Sequence, residues 1–182
     1  MSFLPKSVKL KDGSSITIRE ATPADAAGVI DMIKKIISEA DFTLTQVDEF
    51  QVTEEEKIAI LEKYQQIDGH IYLVAESNGI LIGDNVFSNG LKSRNKHQGE
   101  FALGVIPTFR KRGVANALLE TLMEWAEKHP LIYKVKLRVV IQNYNAIHLY
   151  RNLGFIEEGR LIKDHRTDDG EFMDMIAMYK LV

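Results

Sequence analysis

The segment Val105–Lys128, VIPTFRKRGVANALLETLMEWAEK, decides how this chain is read. It leaves the end of an apolar strand, crosses a basic turn of Arg110, Lys111 and Arg112 with one glycine, Gly113, and enters a periodic helix. A helix start gathers several unpaired N–H groups at one point and adds the positive end of the helix dipole. Cations placed there are mildly unfavourable by themselves, so three in a row point to an anion among them. Gly113 lets the main chain approach a bulky anion and take an unusual dihedral. Behind the turn, Val114, Ala117, Leu118, Leu122 and Trp125 recur at helical spacing and would anchor the helix on a sheet. The stretch reads as a seat for a pyrophosphate. A solvated basic face is the plain alternative. The pattern matches neither the Walker loop nor Gly-x-Gly-x-x-Gly.

Outward from this segment the chain alternates strands and helices. GEFALGVI, ahead of it, is a strand with Glu100, Ala102 and Gly104 on one face and Phe101, Leu103 and Val105 on the other. Upstream of that, HIYLVAES and ILIGDNVF flank Asn78-Gly79, which suits a type I′ hairpin turn. Asp84 and Asn85 interrupt the second of these runs, and either face a cleft or lie at a bulge beside Gly83. Ser14–Arg19 alternates as a strand. TPADAAGVIDMIKKIISEA predicts a helix with Thr22 as N-cap, Pro23 first and Asp25 in the first turn, and with a stripe of Ala26, Val29, Ile30, Ile33, Ile36 and Ile37. TEEEKIAILEKYQQI predicts another, opened by a Thr53/Glu56 capping box and followed by Gly69. The helix after the basic turn should run from about Arg112 to Lys128. Beyond it, YKVKLRVVI alternates Lys134, Lys136 and Arg138 against Val135, Leu137 and Val139. A short helix ends at Gly154, and two strands joined through Asp168-Asp169-Gly170 close the chain. Hairpins followed by a strand–helix–strand unit imply a mixed sheet with helices on its faces.

Composition narrows the function. The chain has 182 residues, 45% of them hydrophobic, and a net charge of −3. That is one domain's worth of chain, residues 1–182, with enough apolar surface for a core. The acidic balance argues against a general nucleic-acid or anionic-membrane binder, despite Arg110-Lys111-Arg112. The absence of cysteine removes disulfides, thiolate metal sites and a cysteine nucleophile, and fits a reducing cytoplasm. The five histidines have no metal-ligand spacing, so no metal is expected. The start, MSFLPKSVKL, has no signal-like apolar run, and no stretch approaches a membrane span.

A second constellation follows the strand ending RVVIQ. Asn143 stands where an N-cap belongs, and Ala146, Ile147 and Tyr150 share one helix face ahead of Leu153-Gly154-Phe155. Tyr150 puts a hydroxyl on a face otherwise aimed at the core, and a tyrosine with a local hydrogen bond is the plain alternative. With these two blocks in this order, the sequence resembles the GNAT superfamily of acyl-CoA-dependent N-acetyltransferases. The phosphate motif of that family, Arg/Gln-x-x-Gly-x-Gly/Ala, stands here as Arg110-Lys111-Arg112-Gly113-Val114-Ala115, and its later block as NYNAIHLYRNLGF. The resemblance is close from Gly99 onward and rests on element order before that.

The resemblance implies an α/β fold: a central, mostly antiparallel sheet in which the strand ending at Gly104-Val105 carries a bulge and splays from the next, parallel strand, with helices on both faces. It implies acetyl-CoA as co-substrate, with its pyrophosphate on the N–H groups around Arg112, Gly113, Val114 and Ala115. The pantetheine and thioester would lie against the main chain of Gly104 and Val105. Asn143 would contact the pantetheine or cap its helix, and Tyr150 would give a proton to the leaving thiolate. A primary amine would attack the acetyl carbonyl directly. Glu100 is the candidate base or water-positioning group, with an exposed strand-end carboxylate as the plain alternative and His97 as a second candidate. Asp41–Thr53 and Ser88–His97 should border the acceptor, a small-molecule or protein amine. A homodimer is compatible with all of this. A non-catalytic acyl-CoA-binding module of the same fold is the alternative function.

Overall fold

The alternating runs of the sequence become the strands of one sheet in the computed structural model, which describes residues 4–40, 42–167 and 169–182. The strands are β1 (Lys6–Lys9), β2 (Ser15–Glu20), β3 (Ile71–Ser77), β4 (Ile80–Asn89), β5 (Gln98–Val105), β6 (Lys134–Val140), β7 (Ile156–Arg166) and β8 (Phe172–Leu181). The helices are α1 (Ala26–Ile37), α2 (Glu54–Gln66), α3 (Val114–Lys128) and α4 (Tyr144–Asn152). The sheet order is β1-β2-β3-β4-β5-β6-β8-β7. Each neighbouring pair is antiparallel except β5 and β6, which are parallel. A right-handed crossover through α3 is the usual way to join such a pair. The mixed sheet expected from element order is present, with β1 as an added edge strand.

Turn chemistry sets the register. Asn78 and Gly79 both have positive φ, 49° and 78°, as a type I′ turn requires, and they join β3 to β4. Asp168 lies outside the described residues, but Gly170 beside it has φ 90° in the turn between β7 and β8. The first helix is divided: Pro23–Asp25 form a 3-10 turn before α1. There the Asp25 carboxylate accepts hydrogen bonds from the Thr22 N–H (2.7 Å) and from Arg19. The stripe of α1 includes Met32, which is buried, whereas Ile33 and Ile36 are half-buried.

The Thr53/Glu56 capping box forms as expected: Thr53 Oγ1 accepts from the Glu56 N–H, and the Glu56 carboxylate accepts from the Thr53 N–H. Thr53→Ala should lower stability by about 1 kcal/mol. Urea unfolding would show this as a lower midpoint at unchanged slope.

Helices cover both faces. α1 and α2 lie on one face, where Ile36 closes on Gly104 and Lys57 sits over the Tyr72 ring. α3 lies on the other, with Leu118 against Gly83 and Trp125 edge-on to Phe87, ring centroids 5.6 Å apart. Leu118 and Leu122 are completely buried, worth roughly 1.5–3 kcal/mol each in removed apolar surface. No helix among the described residues is long and apolar enough to cross a membrane.

Candidate active site

The parallel ladder between β5 and β6 is short. It joins Gln98 to Lys134, Gly99 to Val135 and Glu100 to Lys136, and stops there. Beyond Glu100, β5 stays on β4 as far as Val105 opposite Gly83, while β6 stays on β8 as far as Val140 opposite Met175. Each strand keeps its antiparallel partner, and the two halves of the sheet part between them. The β5 edge from Phe101 to Gly104 thus carries main-chain groups with no partner strand, open to a ligand or water, while the Val105 carbonyl accepts from Arg110. The expected bulge is not in β5, whose ladder with β4 is unbroken. It falls between β3 and β4 at Ala75/Glu76, where β4 spends an extra residue ahead of Gly83.

The basic turn expected to seat an anion follows the end of β5, beside this opening. Gly113 has φ 101°, and that left-handed residue ends the turn, so α3 begins at Val114 rather than Arg112. Lys111 is also left-handed, φ 62°. The first helical bond inside α3 runs from the Ala117 N–H to the Gly113 carbonyl, which leaves the N–H groups of Val114, Ala115 and Asn116 at the open end. Lys111 and Arg112 are exposed around it, and the Arg112 guanidinium stacks on Phe109 and pairs with Asp12 at 3.3 Å. Arg110 does something else. Its guanidinium donates to the carbonyls of Val105 (3.2 Å), Glu39 (3.1 Å) and Ile36 (3.4 Å), tying the end of α1 to the end of β5. A cation unseen in the motif, Lys11, arrives from the β1–β2 turn. Its N–H donates to the Arg112 carbonyl, and its side chain runs beside Gly113. Nothing in the local sequence links Lys11 to Gly113, because the contact is between distant segments.

α4 brings Tyr150 to the α3 side of the cleft. Asn143 caps this helix by accepting from the Ala146 N–H at 3.2 Å. Ile147 is buried, and the Tyr150 ring packs edge-on against Phe101 of β5 at 5.8 Å. No described residue hydrogen-bonds the Tyr150 hydroxyl, and burial pushes its pKa up to about 12. The group stays protonated at neutral pH.

The opposite face of β4 and β5 holds the carboxylates. Glu100 is half-buried at the closed end, where it accepts from Arg138 Nε at 2.9 Å. It lies about 13 Å along the strand from Gly104 at the usual rise per residue. His97 is exposed. Asp84 is closer to the point of interest. It pairs directly across from Gly104, and its Oδ1 lies 3.0 Å from where a Cβ on Gly104 would stand. Asp84 is 7% exposed, and Tyr72 donates its hydroxyl hydrogen to Oδ2 at 2.8 Å. Burial raises the Asp84 pKa to about 6, opposed by the Tyr72 hydrogen bond and the charge of Lys57. Burial, helped by Asp84, pushes the Tyr72 phenol well above its ordinary value, so it remains a donor. The polar pair in an apolar strand was the signal for Asp84; its neighbour Gly104 is 20 residues on and visible only in the fold. Asn85 points to the other face, completely buried, with no described partner for its side-chain amide. Of the loops expected to border the acceptor, Asp41 lies outside the described residues, and Ser88 hydrogen-bonds the Tyr64 hydroxyl at 2.6 Å.

The chain that builds this splayed parallel pair, with a helix N-terminus at its mouth and a tyrosine on its wall, matches the model of the acetyltransferase (GNAT) family over residues 34–155. The chain belongs to the GNAT family. An acetyltransferase of the same family from Streptococcus pneumoniae shares the fold with a TM-score of 0.89 and 31% identity, covering 92% of this chain and 99% of that one. The spermidine N(1)-acetyltransferase of Vibrio cholerae is 30% identical over 82 residues, 45% of this chain and 47% of that enzyme. The L-amino acid N-acetyltransferase of Escherichia coli is 28% identical over 109 residues, 60% of this chain and 67% of that enzyme. This GNAT chain therefore aligns with about half the length of the spermidine enzyme and two thirds of the amino-acid enzyme.

Proposed function

We propose that this GNAT chain, as one domain, moves an acetyl group from acetyl-CoA to a primary amine in a ternary complex. The observation that carries the reading is the cleft itself: β5 and β6 part at Glu100, with α3 opening at one end and Asp84 buried beside Gly104. The pyrophosphate is held by the main chain of Arg112 to Ala115, with Lys11, Lys111 and Arg112 around it. Arg110 positions rather than binds, by fixing the end of β5. The pantetheine arm runs along the free β5 edge, and the thioester stops at Gly104 and Val105. A side chain on Gly104 would press on the end of Ile36, 2.8 Å from where its Cβ would stand, and on Asp84 at 3.0 Å, so both would have to shift.

The acceptor arrives on the α1/α2 face as an ammonium ion. Its proton passes to a carboxylate, and Asp84 is better placed for this than Glu100, which is distant and held by Arg138. The neutral amine attacks the acetyl carbonyl. An N–C bond forms, the C–S bond breaks, and the thiolate of coenzyme A takes a proton from Tyr150. The second amine proton returns to the tyrosine through water, and Asp84 releases its proton to solvent. The names of the spermidine and amino-acid relatives support a small-molecule acceptor, and a chain without cysteine suits the cytoplasm.

Free-thiol release from acetyl-CoA across a panel of primary amines tests the reading. Amine-dependent release is expected; binding of acetyl-CoA with no release on any amine would make the protein a non-catalytic acyl-CoA module. Tyr150→Phe keeps the ring against Phe101 and removes the proton, so kcat should fall on the order of 10²-fold with acetyl-CoA affinity unchanged. Unaltered turnover would reduce Tyr150 to a packing residue.

A further inference from the structure

Lys57 has no place in the acetyl-transfer scheme, yet it is the most buried lysine among the described residues. It is only 6% exposed, on the first turns of α2 facing the sheet. Lysines are almost never so buried unless paired. No described carboxylate lies within salt-bridge distance of Lys57, and no described residue hydrogen-bonds its ammonium. Its contact is with the Tyr72 ring, whose centroid is 5.9 Å from Nζ. The hydroxyl of that same ring is bonded to Asp84. Burial lowers the pKa of Lys57, and the charge of Asp84 restores part of it. Lys57 and Asp84 therefore stand around one tyrosine, one over its face and one at its hydroxyl, next to the Gly104 main chain.

Lys57 is buried along its length while its ammonium has no described protein partner and keeps only partial contact with solvent, a position that a ligand anion would favour. A carboxylate in the same place suits an ammonium group. The two charges are of opposite sign and both face the acceptor side of β5. A polyamine would bring a second cation against Lys57, whereas an amine bearing an acid group meets a complementary charge at each end.

We infer that Lys57, Tyr72 and Asp84 form the acceptor subsite, and that it takes an amine carrying an anionic group, of the amino-acid type, with the amine on Asp84 and the acid group on Lys57. The inference rests on the acetyltransferase reading and narrows its substrate class. Glu100 and its partner Arg138 stand farther along the same face, at the solvated end.

The test is steady-state free-thiol release with acetyl-CoA, comparing amino acids with the amines made by removing their carboxyl group, and with spermidine. The acids should be preferred in kcat/KM on the order of 10-fold or more, the worth of one charge-assisted hydrogen bond. Lys57→Met keeps the length and the burial without the charge. It should raise KM for the acids by a similar factor and erase the preference over the decarboxylated amines. Because the Lys57 charge also holds the Asp84 pKa down, rates are compared on the pH plateau above the acidic limb, which should itself move upward for every acceptor. A thermal melt and acetyl-CoA calorimetry on Lys57→Met show whether fold and cofactor site are intact. If Lys57→Met proves unstable, Lys57→Arg serves instead, and it should keep the preference for acids. Faster turnover of spermidine or plain amines than of acids overturns the inference and leaves the acetyltransferase reading standing. So does a Lys57→Met variant that slows all acceptors by the same factor on that plateau and keeps the preference for acids, since Lys57 would then serve only as a counter-charge for Asp84. No thiol release with any class of amine overturns both.

Discussion

Gly113→Asp should abolish acetyl-CoA binding in a protein that still folds. The substitution puts a carboxylate at the open end of α3, among the N–H groups of Val114 and Ala115 that would hold a pyrophosphate. Like charges brought together in this way cost several kcal/mol, a loss of affinity on the order of 10²-fold or more. Backbone strain is a separate effect, because Gly113 has φ 101° and any side chain is disfavoured there. Gly113→Ala isolates it: the alanine has room, with Lys11 at 3.7 Å as its nearest neighbour, and should lose stability but keep most of the affinity. Calorimetry on both variants, beside a thermal melt, separates charge from strain. Full affinity in a folded Gly113→Asp would move the cofactor elsewhere.

Asp84→Asn should lower kcat/KM on the order of 10²–10⁴-fold, the usual range for removing a positioned proton acceptor. The wild-type profile of kcat/KM against pH should rise through an ionisation near the folded pKa of Asp84, about 6. In Asp84→Asn that limb should vanish. The same residue makes an opposite prediction for stability. The folded pKa of Asp84 is raised above the unfolded value of 3.8, so the folded state holds its proton more tightly. That contribution is present at low pH and is lost as pH rises from about 4 through 6. Above pH 6 the native protein holds a buried charge, and Asp84→Asn removes it while its side-chain oxygen can still accept from Tyr72. The variant should therefore melt at a higher temperature than wild type at a pH of about 7.5 while being nearly inactive. A variant that is inactive because it is unstable would contradict this. Glu100→Gln is the control. An exposed pair such as Glu100–Arg138 contributes up to about 1 kcal/mol, and turnover should change about twofold or less. A loss for Glu100→Gln as large as that for Asp84→Asn would return the proton acceptor to Glu100.

The two carboxylates show how far local pattern reaches. Glu100 sits on the strand that leads into the cofactor motif, and alternation puts it on the face of Gly104, so local pattern favours it. Alternation gives a face but not a distance along the strand, nor the neighbour that a side chain meets. Asp84 belongs to the preceding strand, and its standing depends on the antiparallel register that sets it across from Gly104. The bulge expected in β5 lies instead between β3 and β4 for the same reason: a local sequence gives no count of residues between two distant ladders. Lys57 reads in sequence as one more charge on an acidic-start helix with low apolar contrast, and only the docking of α2 on Tyr72 buries it.

What the sequence determined by itself is local or periodic. The capping box at Thr53, the Asn78-Gly79 turn, the glycine start of α3, the cap at Asn143 and the alternation of β6 each depend on contacts within a few residues, whose geometry is fixed by dihedrals and side-chain reach. The two motif blocks, read in order, carried the family. Tertiary structure decided what lies across the sheet. It ended the parallel ladder at Glu100, since β5 and β6 each keep a full antiparallel partner and the sheet opens where those partners diverge. It joined the Arg110 guanidinium to carbonyls at the ends of α1 and β5, brought Lys11 to Gly113, and buried Asp84 and Lys57 around one tyrosine. Each of these joins residues far apart in the chain, and the energies that settle them, desolvation and charge in a dry cleft, exist only once the helices have closed over the sheet.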